Sequence, residues 1–538
     1  MRHSFPQGAL CAALLSPLLT SLPAAAASDP EIAELRASLN QIKNQYERRI
    51  ADLESRLAAA ERQAARAARE SEAAAKQAMA AAAESRPMTA PTVSPAAPSP
   101  AAQSGGVLGA LTSGSAFNPQ IAVILDGNYY HDGIGGSGSA LVGAAYQPSQ
   151  LAPHTHGEEA AGEAAAHSHG AAENGFNFRE AELSFTATVD PYFDAALFVA
   201  IDGDGEVELE EGWFQTRGLP YGLRMKGGKF LSDFGYINKQ HPHQWDFVDQ
   251  NLPYLNLLGA HGLQDTGVQL TWLPPLPFYT LLGAELAQGD QERFGAVVDA
   301  DQRALLADNA GSLGEENEGP RLWTAFAKVA PNLPERHALQ FGASYARNNQ
   351  HQEVQGHAHE VAAEHAEEHE HEEHEEIVHY NALAGYADIW GLDLVYKYDG
   401  GGAEGHKGFK FQTEYLRSTK NLSIRSSPHP EALGASRDFT SDGLYAQAVY
   451  GFAPKWTAGL RYDIFGMTNE VTGGPTSQDF GSSDRWTLDI TWNLSEFSRL
   501  RAQYAKNDIL EEPGQRERFD AFYLQFLMSM GSHGAHTF

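Results

Sequence analysis

Cysteine is all but missing: Cys11 is the single thiol in 538 residues. With the first segment removed, that excludes a disulfide framework, a thiolate zinc site and a cysteine nucleophile. Positive charge is scarce too. Lys and Arg number 38 against 69 Asp and Glu, a formal charge of -31, so phosphate-bearing partners such as nucleic acid are repelled and cations are drawn in. No stretch supplies 18 consecutive apolar residues, which excludes a membrane helix and leaves strands as the one way into a bilayer. Enzymatic signatures are absent as well, with no G-x-S-x-G, H-E-x-x-H or phosphate-cradling glycine loop. The run His371 to His374 reads HEEH, one residue short of a zincin motif and inside low-complexity sequence. The chain reads as a non-enzyme that requires no cofactor.

What is present falls into four zones. Residues 1–27 place Arg2 and His3 ahead of an apolar stretch from Ala9 to Leu22, then Ala25, Ala26 and Ala27 before Ser28. This is the layout of a secretory signal peptide, and the stretch is too short for a membrane anchor. Residues 28–86 carry a seam of Ile32, Leu35, Leu39, Ile42 and Tyr46, resuming after an extra step at Ile50, Leu53, Leu57 and Ala60. That is a coiled coil with a stutter, placed in the periplasm and expected to associate. Residues 87–116 form a Pro/Ala-rich linker.

From 117 to 538 the hydrophobic period becomes two. Ala181, Leu183, Phe185, Ala187 and Val189 alternate with Glu180, Glu182, Ser184, Thr186 and Thr188; Trp486, Leu488, Ile490 and Trp492 alternate with Thr487, Asp489, Thr491 and Asn493. Two-faced segments of about ten residues, joined alternately by short turns and long polar loops, predict an all-β transmembrane antiparallel barrel in the cell outer membrane. Eight short turns, including Ile389 to Leu392 and Ser418 to Asn421, and nine longer connections, including 349–378 and 400–407, predict about eighteen strands, with sixteen possible. The terminal aromatic Phe538 is consistent with a barrel-assembly signal, although Ser532 and Gly534 depart from it.

Histidine is the unusual residue, 22 in all. His154, His156, His167 and His169 fall in the outer loop 131–175; His351, His357, His359, His365, His369, His371, His374 and His379 cluster in or beside the outer loop 349–378. Helical spacing would put His365 with His369, and His371 with His374, on shared faces. Imidazole with interleaved glutamate suits Zn(II), Ni(II) or Cu(II) in weak, exchanging sites; the alternative is a solvated acidic tract. A third loop, 231–265, combines His241, His243, Asp246, Asp249 and His261 with eight large apolar residues, so it is expected to pack against the barrel wall. Its histidines, with a carboxylate, either hold a cation in the pore or hydrogen-bond the loop in place. Inward positions add Glu180, Glu182, Glu206, Glu208, Glu210 and Asp489, an acidic lumen, and no basic ladder is evident.

The segments FNPQIAVILDGNYY, DPYFDAALFVAID, VELEEGWFQTRGLPYGLRMKGGKF and HPHQWDFVD resemble a group of Gram-negative outer-membrane proteins labelled zinc-regulated receptors or porins. The resemblance implies a surface barrel tied to acquisition of zinc or another divalent metal. Members labelled TonB-dependent carry a plug, for which coil and linker leave no room here. The expectation is a homotrimeric porin in outer-membrane lipid that gathers divalent cations, with the coil reaching peptidoglycan. The alternative is an envelope tether for which the barrel is only an anchor.

Overall fold

The computed structural model describes residues 120–147, 171–291, 293–304, 306, 313–359, 377–473 and 477–531. The signal segment, the coil, the whole linker and the C-terminal Phe538 lie outside them. The period-two pattern folds into one antiparallel sheet that closes on itself, because β1 (Gln120–Asp132) pairs with both β2 (Gly175–Thr188) and β17 (Gln515–Gly531). Of seventeen strands, β14 (Gln478–Asp479) is a two-residue pairing within a loop, and the other sixteen form the barrel wall.

Among the described residues the count is therefore sixteen, the lower of the two expected numbers. The turns expected at Ile389 to Leu392 and Ser418 to Asn421 lie inside β10 (Ile377–Tyr398) and β11 (Phe409–Ser426), which pair continuously through them. The connection 400–407, expected among the outer loops, then falls at the short-turn end. Polar residues such as Lys420 and Asn421 looked like a turn, yet a strand with a water-facing interior takes them without a break.

Closure sorts the side chains. In β15 (Ser483–Ser495), Trp486, Leu488, Ile490 and Trp492 point outward and stay substantially exposed, while Arg485, Thr487, Asp489 and Thr491 are buried inside. Trp492 stacks on Trp456 at 5.5 Å and Trp486 packs on Tyr462 at 4.6 Å. The two pairs sit about 20 Å apart along the strand, the spacing of aromatic rows that flank an apolar band.

Inside, the connection 232–263 between β5 (Leu223–Leu231) and β6 (Gln264–Trp272) fills the lumen and carries a short helix, α2 (Leu252–Leu258), capped by the Asn251 side chain on the Tyr254 N–H at 3.0 Å. Opposite walls hold it. Glu414 of β11 accepts the backbone N–H groups of Tyr236 at 2.8 Å and Ile237 at 3.0 Å, and the Tyr254 hydroxyl at 2.8 Å. Arg461 of β13 (Trp456–Thr472) and Arg485 of β15 grip Asp249 at 2.7 and 2.6 Å. Gly235 has φ +61°, and a Cβ there would collide with the Tyr254 hydroxyl and Glu414, so the entry to the loop requires glycine. A second helix, α1 (Gly138–Gly143), from the first outer loop rests on α2 through Asn256, whose Nδ2 donates to the Val142 carbonyl at 3.0 Å.

Candidate metal centre

The chemistry gathers where this inner loop meets β2 and β4 (Val207–Thr216). Pro242 opens a single 3-10 turn over Pro242–Gln244, which fixes the preceding His241 in an extended conformation with φ -63° and ψ 153°. The Gln244 N–H donates to the His241 carbonyl at 2.9 Å, so the turn holds itself. His241 and His243 stack at 5.8 Å and 19°, and Phe198 stacks on His241 at 4.8 Å.

Two β-bulges supply what faces them. In β4, Phe198 pairs with Glu211 while Val199 pairs with Leu209, so Glu210 is an extra residue and both glutamates turn into the lumen. In β2, Asp126 pairs with Glu180 and Gly127 with Phe178, so Arg179 is extra; Glu180 and Glu182 point inward below it. Glu180, Glu182, Glu210 and Glu211 are all buried. His241 Nδ1 lies 3.2 Å from Glu210 and 3.5 Å from Glu182, and its Nε2 lies 2.8 Å from Glu211. His243 Nδ1 is 3.0 Å from the same Glu182 oxygen. Glu211 also accepts the Leu231 N–H at 3.0 Å.

Burial alone would lower the pKa of His241, but Glu210, Glu211 and Glu182 outweigh it and hold the imidazole well above its ordinary value. The cause is plain: four carboxylates in one buried cluster repel each other unless cations or protons sit between them. The donor atoms fall into two groups, Glu182 with Glu210 and His241, and Glu180 with Glu182 and His243, each within 4.8 Å. Nitrogen and carboxylate oxygen at that spacing suit a borderline divalent metal. Beside His241 lies a cavity of about 40 Å³ bordered by Glu210 and His261, room for an ion with a water or two and too small for an organic solute. At the short-turn end the lumen opens into a chamber of about 510 Å³ bordered by Arg336, His337, Lys397 and Lys410.

The other expected ligands are placed differently. Asp246 is not brought to the pair; it is bound by Lys410 and Gln447, each at 2.8 Å. His261 sits at the rim, 3.8 Å from Glu208 and half-exposed. Glu206 lies in the turn before β4 rather than on an inward strand face. His351 is in β9 (His337–His359), buried, and bonded to Glu353 at 2.6 Å. His357 and His359 also lie on β9 and His379 on β10, which shortens the loop expected at 349–378 to 360–376. His154, His156, His167, His169, His365, His369, His371 and His374 lie outside the described residues.

Sequence reasoning missed three features. Glu211 was hidden because strict alternation points it at lipid, and the Glu210-Glu211 pair itself was the available sign of a bulge. Phe198 carried no signal. The lumen also holds a basic row after all, Arg461, Arg485 and Arg501 on β13, β15 and β16 (Ser498–Glu512), which become neighbours only through strand pairing.

A family model described as TonB dependent receptor-like, beta-barrel matches residues 246–527. An uncharacterized protein of Aquifex aeolicus (strain VF5) is 33% identical over 446 residues, covering 79% of this chain and 81% of that protein. Among solved structures, the outer membrane channel DcaP of Acinetobacter baumannii aligns with TM-score 0.41 and 9% identity over 78% of this chain and 99% of its own. An anion-selective porin from Comamonas acidovorans aligns with TM-score 0.41 and 10% identity over 77% and 100%.

Proposed function

From the premise that the chain belongs to the TonB dependent receptor-like β-barrel family, we propose that it is an outer-membrane channel admitting divalent metal ions, Zn(II) foremost. One observation carries the reading: the loop that fills the lumen delivers His241 and His243 onto four buried glutamates, beside a cavity of ion size. A loop needing only to be held in place already has Glu414, Arg461 and Arg485 for that purpose. Four buried carboxylates on two histidines add repulsion to the fold, and a cation converts that repulsion into binding. The outward apolar face suits outer-membrane lipid as its surroundings. The histidine tracts at 154–169 and 357–374 raise the metal concentration at the mouth, and passage is diffusive.

Planar-bilayer recording tests this. The wild-type chain is expected to carry cation current that Zn(II) reduces by occupying the centre, and the double variant His241→Ala with His243→Ala is expected to lose that zinc response together with the zinc held at the centre. Equal zinc block in both proteins would assign the histidines a purely structural role. No current at all would leave the barrel as the anchor of an envelope tether.

A further inference from the structure

We infer that the centre is built for two divalent transition-metal ions of the Zn(II) class, bridged by the carboxylate of Glu182. The inference rests on the metal-channel reading above and specifies how the ion is held.

The two donor groups are separate except for Glu182, which belongs to both. Nδ1 of His241 and Nδ1 of His243 approach one Glu182 oxygen at 3.5 and 3.0 Å from rings stacked 5.8 Å apart. Glu210 completes the set on the His241 side and Glu180 the set on the His243 side. A carboxylate shared between two ligand sets is how paired ions about 3.5–4 Å apart are held. Glu211 then has a distinct role: it lies 2.8 Å from Nε2 of His241 and would accept that nitrogen's proton once a metal ion has displaced the one on Nδ1.

Charge points the same way. Glu180, Glu182, Glu210 and Glu211 crowd four carboxylates into one buried cluster with Arg179 beside Glu180, and a second dication meets negative charge that Arg179 and one dication leave uncompensated.

Glu180 is 8% exposed and its Oε1 accepts no hydrogen bond, a costly condition for a buried carboxylate oxygen. A lone ion held by His241, Glu210 and Glu182 does not use Glu180; a second ion on the His243 side gives that oxygen its ligand.

Crystals of the full-length chain soaked in Zn(II), with anomalous diffraction at the zinc edge, provide the direct test. Two peaks about 3.5–4 Å apart flanking Glu182 are expected. In parallel, zinc per chain is counted after dialysis for wild type, Glu182→Gln, His241→Ala and His243→Ala. The outer histidine tracts contribute equally to all four, so the differences report the centre. Glu182→Gln is expected to lose two ions and each histidine variant one. One peak, or a Glu182→Gln loss no greater than that of His243→Ala, overturns the two-ion proposal and leaves a single-ion channel standing. No peak at the centre, with unchanged counts, overturns both. The diffraction measurement uses the wild-type chain, so a variant that fails to fold does not blunt the test.

Discussion

Glu211 is the residue at which reading by alternation and folding part company. The spacing HPH at 241–243 exposes the two histidines in the sequence, and Glu180, Glu182 and Glu210 follow from period two. Glu211 enters the lumen only because the bulge opposite Phe198 and Val199 lets two successive side chains share a face. Asp246 fails the other way: close to His243 in sequence, it is drawn off by Lys410 and Gln447 from strands far along the chain. Because Glu211 orients His241, Glu211→Ala is expected to weaken zinc binding at the centre by about 10–100-fold. Glu211→Gln, whose amide oxygen still accepts the Nε2–H, is expected to recover most of it. Competition titration on the full chain measures both, and wild-type affinity in the alanine variant would mean that Phe198 and the Pro242 turn suffice to set the ring.

At the scale of elements, the inner loop is a latch made of long-range contacts. Its packing against the wall was legible from its apolar residues, but its partners were not, because Asp249 meets Arg461 and Arg485 across more than 200 residues of chain. Those guanidinium groups outweigh burial and hold the Asp249 carboxyl down at about 2. A depressed carboxylate stabilises above its unfolded pKa of about 3.9 and loses the effect only as pH falls through the folded value; the difference contributes about 2.5 kcal/mol. Single-channel current in the wild type is therefore expected to stay quiet from neutral pH down to about 3–4, and Asp249→Asn is expected to show flickering, larger openings already at pH 7. Quiet openings in the variant would mean that Glu414 and α2 hold the loop unaided. β9 and β10 pair up to His359 and Ile377, the residues that flank the tract 360–376. Deleting only that tract should lower the zinc bound per chain and leave conductance intact; a collapse of conductance would show that the tract shapes the mouth.

For the whole molecule, a net charge of -31 argues for cations, yet the basic row inside the barrel argues against any selectivity drawn from composition alone. Position decides between them. Arg461 and Arg485 are committed to Asp249 and Asp463, and Arg501 donates to the Trp245 carbonyl and the Thr491 hydroxyl. Lys397 and Lys410 border a chamber of about 510 Å³, where a passing ion keeps its water. Glu210 borders a cavity of about 40 Å³; on the channel reading an ion there sheds water and feels nearby carboxylates at close range. The narrow, acidic point therefore sets the sign, and reversal potentials in a potassium chloride gradient should show cation preference. Lowering ionic strength from 0.1 to 0.01 M lengthens screening from about 10 to about 30 Å, which extends the reach of the wide chamber's lysines along with that of the glutamates. Since the constriction acts at contact distance and needs no such reach, the preference should strengthen only slightly on dilution in wild type. In a Glu180→Gln, Glu210→Gln variant, which removes two of the four buried carboxylates, it should fall. Anion preference in the wild type at either salt concentration would move the selectivity filter from the histidine–glutamate centre to the basic chamber, and the metal-channel reading would fall with it.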